Sequence, residues 1–275
     1  MDKESFFISL FDSKFIGDDG AIIDELIYSS DMFFENVHFK REWMSLYQIA
    51  RKSMLVNISD AVAMNAKALY AILDIQIPST IENAQLVELA KGFNDISKEF
   101  DIEIVGGDTI SGDRLNISVT IISRSSNPLT RYGVKSGQLL AFTGELGESL
   151  KHLNMLLKYE NIPDDSKFYE PKLRVDFINR AREFLSGGMD ISDGLFCDTN
   201  KLLDANELGY ELLENIPDEV GLSGEEYEML IAFKPENRDK ILEIAKETNT
   251  PLTIFAKTNG NDELRFECKN HHFKD

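Results

Sequence analysis

Five short acidic segments hold the residue types best suited to chemistry: Gly17-Asp18-Asp19-Gly20, Ser29-Ser30-Asp31, Asn57-Ile58-Ser59-Asp60, Gly106-Gly107-Asp108-Thr109 and Asp190-Ile191-Ser192-Asp193-Gly194. Each stands at the end of an apolar run, which is where α/β proteins build sites. Asp and Ser are also preferred N-caps and turn residues, so any one segment has an ordinary structural reading, and Asp193 would simply cap the helix after it. Five segments meeting in one cleft are different. Their carboxylates would repel unless a cation belonged to the structure.

Carboxylates and hydroxyls are hard oxygen donors, suited to magnesium, manganese or calcium. No Asp-x-Asp-x-Asp-Gly loop closes on a glutamate at its twelfth position, which removes an EF-hand. Magnesium takes few carboxylates and fills its shell with water and substrate phosphates, so such a pocket would dock a polyphosphate. The common phosphate and hydrolase motifs are missing. There is no Gly-Lys dipeptide for a Walker A loop, no Gly-x-Gly-x-x-Gly, Asp-Phe-Gly or His-Arg-Asp, and no Gly-x-Ser-x-Gly or His-Glu-x-x-His.

The elements that must position these residues mix strand and helix signals. Ile22–Tyr28 is β-rich and predicts a strand ending at Ser29-Ser30-Asp31. Apolar spacing at Leu46, Ile49, Ala50, Leu55, Ile58, Ala61 and Val62 predicts a helix over Leu46–Met64. Further strands are expected at Leu69–Ile77, Ile102–Val105, Leu115–Ser123, Leu139–Thr143, Met189–Ile191, Tyr227–Phe233 and Leu252–Phe255. Further helices are expected at Ile81–Phe100, Glu148–Lys158, Pro171–Leu185, Asp193–Asn206 and Asn237–Thr248. Both halves mix the two types, giving an α/β or α+β fold. The polar stretch Ser123–Gly137 predicts a boundary between domains at 1–126 and 127–275.

At 275 residues, two domains are the default. The 48 acidic against 29 basic residues give a formal charge of -19, which disfavours nucleic acid and anionic membrane surfaces. No apolar run is long enough to cross a bilayer, and Met1-Asp2-Lys3-Glu4 does not begin a signal peptide. Cys197 and Cys268 lie far apart and suggest neither a disulfide framework nor a zinc site, so a cytoplasmic location is expected.

The order and spacing of the acidic segments, with Val37-His38-Phe39, Ala63-Met64 and Ser223-Gly224-Glu225-Glu226-Tyr227-Glu228, resemble the thiamine-monophosphate kinases of the aminoimidazole-ribonucleotide-synthetase-like superfamily. The resemblance spans about residues 16–230. It implies a two-domain fold of mixed sheets flanked by helices, with a homodimer formed through the N-terminal sheet. It also implies ATP-dependent phosphorylation of thiamine monophosphate to thiamine diphosphate, the last step of that cofactor's synthesis, by direct in-line transfer with several Mg2+ ions. Carried over, Asp18, Ser29, Ser30, Asp31, Asp60, Asp108, Asp190 and Asp193 would hold metal, Gly107, Arg131 and Ser192 would touch ATP, and His38 and Glu225 would contact the thiamine phosphate. No protein nucleophile is implied.

Each assignment has a plainer alternative. His38 in a strand-like segment is compatible with a packing role, Arg131 with a solvated charge, and Glu225, Glu226 and Glu228 with a solvated face. Asp19 could orient Asp18 rather than bind metal, and Phe33, Phe34, Phe93 and Phe100 read as core. The adjacent His271 and His272 splay apart and make a poor metal pair. Asn36 and Asn65 stand where the family usually has Gly; Asn tolerates the left-handed region, so both turns are expected to survive. Near the tail Asn270-His271-His272-Phe273, no residue is matched to the aromatic that relatives place over the substrate ring. The competing readings are another superfamily enzyme, such as aminoimidazole ribonucleotide synthetase, or a non-catalytic acidic metal- or nucleotide-binding protein. A selenophosphate synthetase is disfavoured because no cysteine precedes Cys197.

Overall fold

The computed structural model describes residues 3–260 and 264–268. A short helix α1 (Lys3–Ile8) precedes a hairpin of β1 (Ala21–Ile23) and β2 (Leu26–Phe34), which turns at Asp24 in the left-handed region. Helix α2 (Leu46–Ala63), β3 (Lys67–Pro78), α3 (Asn83–Phe100), β4 (Glu103–Gly106), β5 (Thr109–Gly112) and β6 (Asn116–Arg124) follow. The first sheet runs β1-β2-β6-β3-β4, and β5 also pairs with β3. The long β3 therefore has two parallel partners in succession, β4 beside Tyr70–Ile72 and β5 beside Ile75–Pro78, with Gly107-Asp108 at the break.

The second half contains β7 (Leu139–Thr143), α4 (Glu148–Leu157), α5 (Val175–Ala181), β8 (Leu185–Asp190), α6 (Leu195–Asp204), β9 (Gly209–Leu212), α7 (Asp218–Gly221), β10 (Met229–Phe233), α8 (Arg238–Glu247) and β11 (Leu252–Asn259). Its antiparallel sheet runs β8-β10-β7-β11-β9. The α/β (α+β) expectation holds: two sheets, each flanked by helices.

Helix α2 is the centre. Ser45 and Gln48 close a capping box at its start. It packs on β2 and β6 of the first sheet, on α3, and on β8 of the second. Covered on all these sides, it buries Arg51, Lys52, Ser53, Asn57 and Ser59 as well as its apolar residues. One core cluster runs from Ile117, Val119 and Ile121 of β6 through α2 to Met229, Ile231 and Phe233 of β10. A second fills the other face of the second sheet, beneath Leu195, Leu202 and Leu203 of α6.

Four expectations need correction. Strand β2 does not end at Ser29; Ser29-Ser30-Asp31 lies within it, because alternate residues Ile27, Ser29 and Phe33 still have a buried face to fill. The helix expected over Pro171–Leu185 is only Val175–Ala181 plus a 3-10 turn at Arg182–Phe184. Ahead of it the chain stays irregular while the buried Arg174 guanidinium donates to both Glu228 oxygens, at 2.7 and 2.6 Å. The helix expected from Asp193 begins at Leu195, since the Ser192 and Asp193 amides donate to the Asp198 side chain instead. Finally, Cys197 and Cys268 form a disulfide with Cα atoms 5.4 Å apart. The C-terminal segment returns across α6, where Phe266 is stacked between Phe196 and Tyr210 at 4.5 and 4.2 Å. Among the described residues, no helix is long and apolar enough to cross a membrane.

Candidate functional site

The acidic segments meet where α2 lies between the sheets. Ser29 and Asp31 sit two residues apart on β2 and so share the face that α2 covers. The Asp31 amide, beyond the end of the β1 pairing, donates to Asn57 Oδ1 at 2.7 Å, and the fully buried Asn57 is itself held through Nδ2 by the Ser53 carbonyl at 2.9 Å. One turn on, Asp60 accepts from Ser29. The hydroxyl of Ser59 reaches the other sheet and donates to Asp190 Oδ2, at the end of β8, at 2.6 Å. Burial, then the charges of Asp31, Asp190 and Asp19, push the Asp60 carboxyl well above the usual carboxylate range. Burial and Asp19 do the same to Asp190.

Asp18 and Asp19 enter from the loop before β1. Arg131 Nη2 donates to Asp19 Oδ1 at 2.5 Å, and the Arg131 amide lies 3.3 Å from each Asp18 oxygen. Burial, followed by Asp19, raises the Asp18 carboxyl to about 6. The Asp19 side chain is 2% exposed, its charge acts on both Asp60 and Asp190, and its Oδ2 is buried with no hydrogen-bond partner among the described residues. Asp19 is thus a member of the cluster as well as a neighbour of Asp18. Arg131 is tied to this pair rather than standing as an isolated cation.

On the far wall, Asp193 pairs with Lys201, which also holds the buried Asp198 at 2.9 Å. Asp198 accepts the Ser192 and Asp193 amides, both at 3.0 Å, and fixes that loop. The Ser192 carbonyl accepts the Glu225 amide at 2.7 Å, and Tyr227 bonds Ile191. The loop 223–228 is therefore strapped to the end of β8. Both Glu225 and Tyr227 are in the left-handed region, a strain that surrounding structure must hold in place. Burial, then Glu225, Asp31, Asp190 and Asp60, raise the Tyr227 hydroxyl well above its ordinary range.

Some expected site residues lie elsewhere. Ser30 faces the opposite side of the first sheet, bonded to Thr120 Oγ1 at 3.0 Å. Asp108 is exposed, its amide donating to Asp74 Oδ1 at 2.8 Å. It is separated from β2 by β6 and β3, roughly 14 Å by strand spacing alone. Gly107 is at the same edge, where a Cβ would stand 1.7 Å from the Leu73 carbonyl oxygen. His38 accepts the Phe34 amide at Nδ1, 3.0 Å, and stacks on Phe33, which puts the ring proton of a neutral imidazole on Nε2. Asn36 and Asn65 both adopt the left-handed conformation expected of them. The tail Asn270-His271-His272-Phe273 lies outside the described residues.

Three residues were not assigned from sequence: Asn57, Asp198 and Lys52. Their signal was available as polar groups inside apolar helical runs, which a buried helix carries only for a reason.

The donor set suits a divalent cation. Asp19 Oδ2 has no bond donor, and Asp60 and Asp190 repel one another's charge. Among the described residues, no three acidic, His or Cys side chains form a ready metal cage.

Residues 17–124 match the family model described as AIR synthase related protein, N-terminal domain. The thiamine-monophosphate kinase of Nitrosopumilus maritimus is 31% identical over 229 residues, covering 76% of this chain and 74% of the relative. That of Leptospira interrogans is 30% identical over 299 residues, covering 96% and 95%. Among solved structures, one described as AaThiL complexed with AMPPCP and TMP superimposes with a TM-score of 0.82 at 22% identity, covering 94% of this chain and 90% of the other.

Proposed function

The chain belongs to the thiamine-monophosphate kinase family, and from that premise we propose that it transfers the γ-phosphoryl group of ATP to thiamine monophosphate, giving thiamine diphosphate. The observation that carries the reading is the convergence of Asp19, Asp31, Asp60 and Asp190 from the first loop, β2, α2 and β8.

The chemistry needs positioning more than it needs a base. The acceptor is a phosphate monoester with a second pKa of ~6, so its attacking oxygen is already anionic near neutral pH. Two polyanions must approach in line, and a wall of carboxylates alone would repel both. Asp18, Asp19, Asp31, Asp60, Asp190 and Asp193 are the residues we assign to magnesium, with Ser29 beside them. Bound magnesium would neutralise phosphate charge on both partners. Arg131 offers a second, permanent positive charge at the nucleotide side, already oriented by Asp19. Ser192, on the loop fixed by Asp198, is assigned to ATP, and His38 and Glu225 are assigned to the acceptor. Asp108, Gly107 and Ser30 lie outside this cluster and are assigned to nucleotide-bound metal only in an assembly larger than one chain.

We further infer a homodimer through the outer face of the first sheet. Tyr28, Ser30, Met32, Thr120, Ile122 and Tyr70 point away from α2, and Met32 is 61% exposed. We divide the chain near residue 126. The direct test incubates the purified protein with ATP, magnesium and a set of phosphate acceptors, with products read by mass spectrometry. Thiamine diphosphate and ADP should form in equal amounts and disappear with chelator. ADP formation that ignores thiamine monophosphate would refute the assignment.

A further inference from the structure

Lys52 has no place in the scheme above, yet few lysines are so completely enclosed. It lies on α2 with 0% exposure, and its ammonium donates to Glu225 Oε2 at 2.5 Å. Two aromatic rings complete its surroundings, Phe168 with its centroid 4.3 Å from Nζ and Phe33 at 5.6 Å. A buried ammonium costs several kcal/mol unless it is paired, and among the described residues Glu225 is its one carboxylate partner. Glu225 is differently placed. Its side chain keeps 29% exposure, and its Oε1 has no hydrogen-bond partner among the described residues. Its backbone is held in the left-handed region by the Ser192 carbonyl.

We propose that Lys52 is a positioning residue for acceptor recognition: it pins one oxygen of Glu225, so that the other is held in a fixed orientation toward the positively charged heterocycle of the acceptor. This rests on the assignment of Glu225 to the acceptor in the proposed function. The arrangement selects phosphate monoesters that carry a cationic ring or an amine donor next to it. A carboxylate free to rotate would also meet a cation, but with its orientation lost. Because Lys52 comes from α2 and Glu225 from the loop before β10, the pair also fixes the acceptor wall relative to Asp31 and Asp60, which α2 and β2 carry.

The test uses Lys52→Met, which keeps an unbranched side chain one atom shorter and removes the charge, alongside Glu225→Gln and the double variant. For Lys52→Met the KM for thiamine monophosphate should rise about tenfold or more, the scale of losing a hydrogen bond to a charged group, while the KM for ATP stays within about twofold. Preference for thiamine monophosphate over a phosphate monoester with a neutral ring should shrink by a similar factor. The double variant should match Glu225→Gln within about twofold, since Lys52 acts through Glu225. A purely structural lysine would lower the melting temperature and change both KM values together, and that result overturns the proposal. Should Lys52→Met fail to fold, the double variant lacks both charges and carries the comparison; a KM at least threefold above that of Glu225→Gln overturns the proposal equally. The wild-type arm separates the two levels: wild-type protein that makes no thiamine diphosphate refutes the function, whereas wild-type turnover with an unmoved KM in Lys52→Met refutes this inference alone.

Discussion

Asp31 shows how a single side chain is made ready for a cation. Its amide is tied to Asn57 and Asn57 to Ser53, and its charge adds to the burial that chiefly raises Asp60, and in smaller measure to that which raises Asp190. Replacing it by Asn removes charge without changing shape. Turnover of thiamine monophosphate should fall by at least about a hundredfold, the scale of losing one preorganised charge partner. Metal-free stability should hold or rise, because a repulsive charge is gone from beside Asp60. Steady-state kinetics at low and saturating magnesium, with a thermal melt, check both halves. Near-normal turnover at low magnesium would remove Asp31 from the metal site. The importance of Asp31 was legible in the sequence as a Ser-Asp pair; the support from Asn57 showed there only as a polar residue inside an apolar helical run, with nothing to name its partner.

At the scale of elements, Gly107 decides whether β3 can have two partners. It adopts a φ of 141°, and an added Cβ would meet the Leu73 carbonyl carbon at 2.4 Å as well as its oxygen. Gly107→Ala should cost about 2 kcal/mol or more in a urea titration, from strain of the order found at disallowed backbone positions plus the overlap. It should also displace Asp108, so activity should fall together with stability; an unchanged midpoint would show that the strand break is soft. Helix α3 has a buried stripe of Leu89, Phe93 and Ile96 against a polar face, and its end at Phe100 was read correctly. Helix α2 was found at nearly the right bounds, but not its depth, because an all-round buried helix presents Arg51, Lys52 and Ser59 as though they were a solvent face. The Pro171 stretch was misread for a related reason. Its local spacing favours a helix, while the buried pair of Arg174 with Glu228, 54 residues away, holds the chain out of it. Ser30 is expected at the metal from the family resemblance; beside Asp31 on a strand it turns to the opposite face, toward Thr120.

For the whole molecule, the clustered carboxylates become a statement about pH. Asp18 is raised from 3.8 to about 6 by burial first and Asp19 second; Asp198 is likewise raised to about 6 by burial, against the pull of Lys201. Asp60 and Asp190 are raised in the same direction. In the metal-free state the folded chain therefore holds protons that the unfolded chain has released. Stability must fall as pH rises from about 4 through about 6, by about 3 kcal/mol for Asp18 alone at 1.36 kcal/mol per unit, and must stay lost above that range. The charge of -19 acts in the same sense through general self-repulsion. Magnesium separates the two contributions, since at matched ionic strength only a site gains from it. The metal-free melting temperature should be higher at pH 5 than at pH 7.5. Millimolar magnesium should restore most of the loss at pH 7.5 and add little at pH 5, where protons already occupy the carboxylates. A sodium salt of equal ionic strength should not reproduce that restoration. If sodium restores as much as magnesium, the repulsion is spread over the surface and the cleft is not where cations act.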